Sequence, residues 1–140
     1  MKTSDSIFLR ALNKESLEIP PIWYMRQAGR YMPEYRAVRK KFKNFLDMCK
    51  NPEVCCELAL QPINAFNLDA SILFSDILTI PDAFGLGVEF LEGEGPVFKN
   101  PIKTPKDISS LPEFNSDDLS YVYEAVSNIK RALQIGRAHV

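Results

Sequence analysis

Residues Ile22–Arg36 read I-W-Y-M-R-Q-A-G-R-Y-M-P-E-Y-R, and this stretch decides what the rest of the chain is expected to be. A β-prone run, Ile22–Met25, leads directly into two arginines, Arg26 and Arg30, that flank Gln-Ala-Gly. The planar guanidinium group suits bidentate binding of carboxylate or phosphate, and a glycine lets the backbone approach a ligand closely. The stretch therefore predicts a strand whose end presents a site for an anion.

Charge is distributed unevenly along the 140 residues. Between Arg26 and Lys43 there are seven Lys or Arg and one acid, Glu34, whereas the other residues hold ten Lys or Arg and seventeen Asp or Glu. A chain of net charge −1 thus carries one strongly basic segment, which predicts a polyanionic ligand. Nucleic acid is not the expected partner, because the chain as a whole is not basic and no recognised nucleic-acid-binding motif is present.

Strand-like and helix-like segments follow one another along the chain. Strands are predicted at Ala70–Phe74, which is apolar apart from Ser71, and in a hairpin of Val88–Leu91 and Pro96–Phe98. Helices are predicted at Ser4–Asn13, partly over Tyr35–Met48, and at Pro81–Phe84, ending near Gly85. A further helix is predicted from Pro52 to Asn64, with Asn51 as its cap. The last predicted helix spans Leu119–Leu133, and its inner face is formed by Tyr123, Val126, Ile129, Ala132 and Leu133. This order predicts parallel β/α units, although two core strands cannot close a sheet.

The start of the chain lacks a continuous apolar segment, and no run approaches the roughly 20 apolar residues that span a bilayer. We therefore expect no secretory signal and no membrane partner. Cys49, Cys55 and Cys56 include no C-x-x-C pair, and the single histidine, His139, is far away in sequence. This pattern predicts buried thiols in a reducing cytoplasm and no metal site.

The motif P-x-W-x-M-R-Q-A-G-R-Y, formed by Pro21, Trp23 and Met25–Tyr31, resembles the amino-terminal signature of the uroporphyrinogen decarboxylase family. Other segments similar to that family are Pro33–Arg36, Asn51–Leu58, Leu60–Pro62, Ile72–Leu78 and Gly93-x-Gly95-Pro96. The resemblance runs from about residue 7 to residue 133. It implies an α/β fold of the (β/α)8 TIM-barrel type, which typically needs about 250 residues, so this chain is expected to be a truncated amino-terminal portion.

We expect residues 1–134 to form the amino-terminal part of a single barrel domain. Residues 135–140 are predicted to be a non-native tail, because Ile135–Val140 can be encoded by a common sequencing-library adapter. The fragment by itself is expected to be inactive and poorly folded, since exposed edges of apolar strands invite aggregation. The family resemblance implies a homodimer for the full-length protein.

The resemblance implies cofactor-free decarboxylation of the four acetate side chains of uroporphyrinogen III, giving coproporphyrinogen III in heme biosynthesis. This tetrapyrrole carries eight carboxylates, which an arginine-rich barrel mouth suits. The implied substrate-binding residues are Arg26, Gln27, Ala28, Gly29, Arg30 and Asp76, with Arg36, Arg39, Ile72 and Phe74 around them. Asp76 is also the implied transition-state stabiliser, because an ionised carboxylate accepts pyrrole N–H hydrogen bonds and stabilises a developing cation. The proton donor stays open.

Plainer interpretations stand beside these roles. The arginines could form a solvated basic surface, Asp76 could cap the following helix, and core packing alone could explain Ile72 and Phe74. Two other functions are compatible with parts of the sequence: a cobamide-dependent methyltransferase of related barrel fold, and a non-enzymatic polyanion-binding module. The intact R-Q-A-G-R-Y segment favours the decarboxylase.

Overall fold

A computed structural model describes residues 6–25, 28–91, 95–133 and 138–139. The α-helices in these ranges are α1 (Ile7–Leu12), α2 (Pro33–Arg39), α3 (Phe45–Cys49), α4 (Pro52–Ala65), α5 (Thr79–Ala83), α6 (Pro105–Ser109) and α7 (Ser120–Ala132). A 3-10 turn, Ser116–Leu119, leads into α7. The strands are β1 (Ala70–Ser71), β2 (Val88–Leu91), β3 (Gly95–Phe98) and β4 (Ala138–His139). The predicted helices and the hairpin are confirmed, with ends that differ by a few residues.

Side-chain caps set where several helices begin. The Asn51 side chain accepts a hydrogen bond from the Val54 amide at 2.9 Å, and Pro52 occupies the first turn of α4, as the sequence predicted. Helix α6 was not predicted from the sequence. It begins with a capping box in which Thr104 and Asp107 each accept a hydrogen bond from the other residue's amide.

Helix α4 organises the core because it packs against partners on two sides. One buried cluster joins it to α2 and α3 and consists of Met32, Tyr35, Val38, Met48 and Leu58. The other joins α4 to α7 and consists of Ala59, Ile63, Leu68, Ile129 and Leu133. Removing these apolar side chains from water is the main favourable contribution to folding.

The predicted inner face of α7 is right for Ile129 and Leu133 but wrong for the other three residues. The exposed members are Tyr123, Val126 and Ala132. Ala125 is buried instead, with 1% of its surface exposed. The buried face of α7 therefore includes a small residue and leaves larger apolar residues exposed.

The predicted strand Ala70–Phe74 is confirmed only over its first two residues. Ala70 and Ser71 pair in parallel with Ala138 and His139. The two β1 residues, Ala70 and Ser71, are buried. The Ser71 hydroxyl donates to the Ala59 carbonyl at 3.1 Å, which ties β1 to α4. The next three residues, 72–74, continue as half-buried chain outside the ladder. Strand β4 lies within the predicted tail 135–140, whose non-native origin stays a prediction.

The predicted strand Ile22–Met25 is wrong. The Ile22 amide donates to Asp69 Oδ2 at 2.8 Å, and the Asp69 amide donates back to the Ile22 carbonyl at 2.9 Å. A strand requires a repeated ladder, and among the described residues this segment makes only that one exchange. The side chains stay exposed, Met25 by 76%. A β-prone composition does not form a strand without a partner.

The hairpin is antiparallel, with Val88 opposite Phe98 and Leu91 opposite Gly95. It lies beside α3, where the Phe45 and Phe90 rings are 5.6 Å apart and meet edge to face. Within the ranges that the structure describes, no helix is both long and apolar enough to cross a bilayer.

Candidate functional site

A tight turn at residues 29–32 leads into helix α2. The Gly29 carbonyl accepts a hydrogen bond from the Met32 amide at 2.9 Å, and Met32 is anchored in the core with 3% of its surface exposed. Between them Arg30 is exposed. Arg26 and Gln27 lie outside the described residues. The turn thus presents Arg30 to solvent from a backbone that the core holds.

Arg36 contacts the same turn from helix α2. Its Nη1 atom donates to the carbonyl oxygen of Arg30 at 2.8 Å and to that of Tyr31 at 3.2 Å. Arg39, one turn further along α2, donates through Nη1 to the Phe42 carbonyl at 2.8 Å. Both guanidinium groups therefore hold the backbone on either side of α2.

Asp76 follows β1 after the segment Ile72–Ser75 and is half-buried. Its Oδ1 accepts a hydrogen bond from the Leu78 amide at 2.8 Å, and its carbonyl accepts from the Thr79 hydroxyl at 2.9 Å. These bonds form a turn just before α5, whose N-cap is Leu78 and has no side-chain cap, so the interpretation of Asp76 as a helix cap is not confirmed. The turn fixes the position of the carboxylate.

One cavity of about 850 Å³ brings together most of the predicted site residues. Ala28, Gly29 and Arg30 line it from the loop, and Ile72, Phe74 and Asp76 line it from the segment after β1. Tyr35 and Phe45 also line it, and each ring lies 5.9 Å from the Phe74 ring. The arrangement combines a cation, a carboxylate and apolar walls in one cavity, which is typical of small-molecule sites.

A second cavity, of about 740 Å³, continues from the first on the side of the hairpin. Arg30, Tyr35 and Phe45 line both cavities, and Arg39 and Lys43 line only the second. The described lining of this cavity contains three cations and no carboxylate. Lys43 was not among the substrate-binding residues expected from the sequence. Its approach to Arg39 depends on the turn between α2 and α3, which the sequence did not reveal.

Two of these cations, Arg39 and Arg30, affect the pKa of Tyr35. Burial raises the pKa of its hydroxyl, whereas the positive charges of Arg39 and Arg30 act in the opposite direction. Burial also raises the pKa of the Cys49 thiol to about 12, and the Cys55 thiol and the Asp76 carboxylate add to this effect. Asp76 is therefore close enough to Cys49 for its negative charge to raise the pKa of the thiol.

The three cysteines form no disulfide, and burial makes the thiols of Cys49 and Cys55 unreactive. Burial raises the pKa of Cys55 to about 11, and its Sγ donates to the Cys49 carbonyl at 3.2 Å. At neutral pH both buried thiols stay protonated and are poor nucleophiles or ligands. In the part of the chain that the structure describes, no three His, Cys, Asp or Glu side chains are grouped to hold a metal ion.

An α/β chain that gathers arginine and aspartate side chains in one cavity fits an enzyme of the (β/α)8-barrel class. A family model described as uroporphyrinogen decarboxylase (URO-D) matches residues 3–138. The chain therefore belongs to the uroporphyrinogen decarboxylase family, and the predicted fold class is confirmed as part of that family's barrel.

Curated relatives named uroporphyrinogen decarboxylase agree with this assignment. The Francisella philomiragia protein is 56% identical over 131 residues, which is 92% of this chain and 38% of the relative. The Vesicomyosocius okutanii protein is 59% identical over 126 residues, and the Dichelobacter nodosus protein 57% over 129, covering 36% and 37% of those relatives. The chain thus spans little more than a third of their length. These names do not favour the cobamide-dependent methyltransferase interpretation.

Proposed function

We propose that the complete protein carrying this chain is a uroporphyrinogen decarboxylase, a carboxy-lyase that converts the four acetate side chains of uroporphyrinogen III to methyl groups and yields coproporphyrinogen III. The observation that carries the proposal is the 850 Å³ cavity, in which Arg30 and Asp76 line one space. Family membership and the names of the relatives support the same reaction.

The substrate's charge matches the basic wall. Eight carboxylates surround the tetrapyrrole, and Arg30, Arg39 and Lys43 extend along two connected cavities rather than around one point. Arginine binds carboxylates through paired N–H groups, and lysine acts as a point charge. Arg26 belongs to the proposed substrate contacts through its motif, with Gln27, Ala28 and Gly29.

The apolar walls suit the body of the macrocycle. Phe74, Tyr35 and Phe45 form a connected group of rings at the cavity, and Ile72 lies beside them. Flat aromatic and aliphatic surfaces exclude water from pyrrole rings, while the carboxylates remain on the basic side. This division explains why both kinds of residue are needed in one site.

Asp76 is proposed to stabilise the transition state. Protonation of a pyrrole carbon gives a cationic ring, and the electron pair of the breaking bond between the acetate methylene and its carboxylate flows into that ring as carbon dioxide leaves. Protonation of the methylene and loss of the added ring proton then restore the pyrrole with a methyl substituent. A fixed carboxylate beside the pyrrole N–H groups favours the cation electrostatically. The reaction uses protons alone, so the proposal includes no cofactor.

The proposal extends to a cytoplasmic location, which the cysteine pattern favours, and to a homodimer for the complete protein, which the family resemblance implies. Neither nucleic acid nor a membrane is proposed as a partner. Sedimentation of the complete protein tests the dimer: a monomer at micromolar concentration would remove that part of the proposal.

Anaerobic incubation of the complete protein with uroporphyrinogen III tests the reaction. After oxidation of the products, chromatography should resolve porphyrins with seven, six, five and finally four carboxylates as time proceeds. Absence of carbon dioxide release, with the substrate recovered intact, would contradict the proposal. Salt-sensitive retention on DNA without turnover would favour the polyanion-binding module instead.

A further inference from the structure

Three consecutive carbonyl groups before helix α2 each accept a hydrogen bond. The Gly29 carbonyl accepts from the Met32 amide, and Arg36 Nη1 supplies the carbonyls of Arg30 and Tyr31 at 2.8 and 3.2 Å. A guanidinium that bonds two neighbouring carbonyls fixes the orientation of two peptide planes. It therefore fixes the direction in which the Arg30 side chain leaves the backbone.

Helix α2 holds the Arg36 guanidinium in place. Arg36 lies in the last turn of the short helix α2, and its neighbour Tyr35 is buried in the core cluster. Met32, which begins the helix, belongs to the same cluster. The contact thus connects an exposed turn to a helix that is anchored in the core.

Arg30 and Arg36 differ in whether they line the cavities. Arg30 lines both cavities, whereas Arg36 is not among the described residues that line either of them. A guanidinium engaged with two carbonyls also has fewer donors to offer a ligand. These observations distinguish a residue that supports the loop from one that contacts the substrate.

We propose that Arg36 is a positioning residue, whose guanidinium holds the Arg30 loop in the conformation that presents Arg30 to a substrate carboxylate. This replaces the sequence-based expectation that Arg36 contributes to substrate binding itself. The proposal rests on the proposed function, since it concerns the same substrate and the same cavity.

A double-mutant cycle in the complete protein tests the proposal. Arg36→Gln should lower kcat/KM for uroporphyrinogen by about 10-fold, because hydrogen bonds from a charged donor are lost. In an Arg30→Ala background the same change should cost less than about twofold, since the residue it positions is gone. Arg36→Lys, which can still reach a carbonyl, should be intermediate. Losses that multiply in the double mutant, or wild-type kcat/KM in Arg36→Gln, would overturn the proposal.

Lys41→Gln provides the matched control. It removes the same charge from the same basic segment, and Lys41 is exposed and is not among the described residues lining either cavity. Because an exposed charge is screened by solvent and salt, its kcat/KM should stay within about twofold of wild type. An equal loss in Lys41→Gln would show that Arg36 contributes only general positive field, and the positioning role would fall.

Amide hydrogen exchange supplies a readout that does not need turnover. Loss of the Arg36 contact should accelerate exchange of the Met32 amide, which closes the turn, while amides within α4 keep their protection. If wild-type protein fails to decarboxylate uroporphyrinogen, the proposed function falls, but this measurement still decides whether Arg36 holds the loop. Unchanged exchange at Met32 in Arg36→Gln would overturn the positioning role independently.

Discussion

Replacing Asp76 by Asn removes one negative charge from the cavity and keeps the local structure. Asp76 Oδ1 accepts the Leu78 amide at 2.8 Å, and the amide oxygen of an asparagine can accept the same bond. The free energy of unfolding should therefore change by less than about 1 kcal/mol, whereas Asp76→Ala, which loses this hydrogen bond, should cost about 0.5–1.5 kcal/mol. Comparing the two variants separates the effect of the charge from that of the hydrogen bond.

Turnover should respond to the charge alone. If Asp76 stabilises a cationic pyrrole, Asp76→Asn should lower kcat by at least ~100-fold, which corresponds to about 2.7 kcal/mol of transition-state stabilisation. The assay is the initial rate of carbon dioxide release from uroporphyrinogen by the complete protein. The thiol of Cys49 reports on the same change, because the Asp76 charge helps to raise its pKa, which should fall in the variant.

Asp82→Asn is the matched control. Asp82 forms an ion pair with Lys50, and their side chains are 20% and 43% exposed, so the substitution removes the same charge six residues away from a partly exposed pair at a cost of about 1 kcal/mol. Its kcat should stay within about twofold of wild type. Wild-type kcat in Asp76→Asn would refute the electrostatic role, and an equal loss in both variants would show that the effect is not local.

Three further results are expected. Arg30→Lys should raise the Kd for uroporphyrinogen less than Arg30→Ala does, because lysine keeps the charge but not the paired donors; equal Kd values in both variants and wild type would contradict this. Lys43→Ala should weaken binding by about 2- to 5-fold at low salt and less at high salt, whereas Lys41→Ala should not, since only Lys43 lines the second cavity. In the native protein at pH 8 a thiol reagent should modify Cys56, which is half-buried, well before the two buried thiols.

The raised pKa of the Cys49 thiol predicts how the free energy of unfolding depends on pH. The folded-state pKa of Cys49 is raised from 9.0 to about 12, so the folded state favours the protonated thiol. Its contribution is complete below about pH 9 and is lost as pH rises from about 9 towards 12, with a slope of at most about 1.4 kcal/mol per pH unit. Denaturant unfolding between pH 8 and 11 measures the slope. Cys49→Ala should make it shallower, and an unchanged slope would contradict the assignment.

Local signals in the sequence identified the elements that depend on local chemistry. Asn51 and Pro52 specify the start of α4 through a cap and a fixed backbone angle, so no distant contact is needed. The capping box of α6 was equally local, as Thr104 and Asp107 stand three residues apart, and the sequence could have revealed it. Hairpin strands β2 and β3 were predictable because each is the other's partner.

Elements that depend on distant partners were predicted less well. Ile22–Met25 has the composition of a strand, but its backbone makes one hydrogen-bond exchange, with Asp69, and no ladder among the described residues. The buried face of α7 includes Ala125 and leaves Tyr123 and Val126 exposed, a choice that depends on tertiary packing and that periodicity does not specify. At the site, motif resemblance brought Arg30 and Asp76 together, whereas the carbonyl contacts of Arg36 depend on the turn geometry at Gly29.

A crystal structure of the complete protein with bound coproporphyrinogen, prepared anaerobically, tests the central claim most directly. We predict that the macrocycle occupies the cavity between Arg30 and Asp76, with an Asp76 carboxylate oxygen about 2.7–3.2 Å from pyrrole nitrogens. The Arg30 guanidinium should meet a propionate carboxylate at the rim. A macrocycle bound elsewhere, with the Asp76 carboxylate bonded only to the Leu78 amide, would contradict the account.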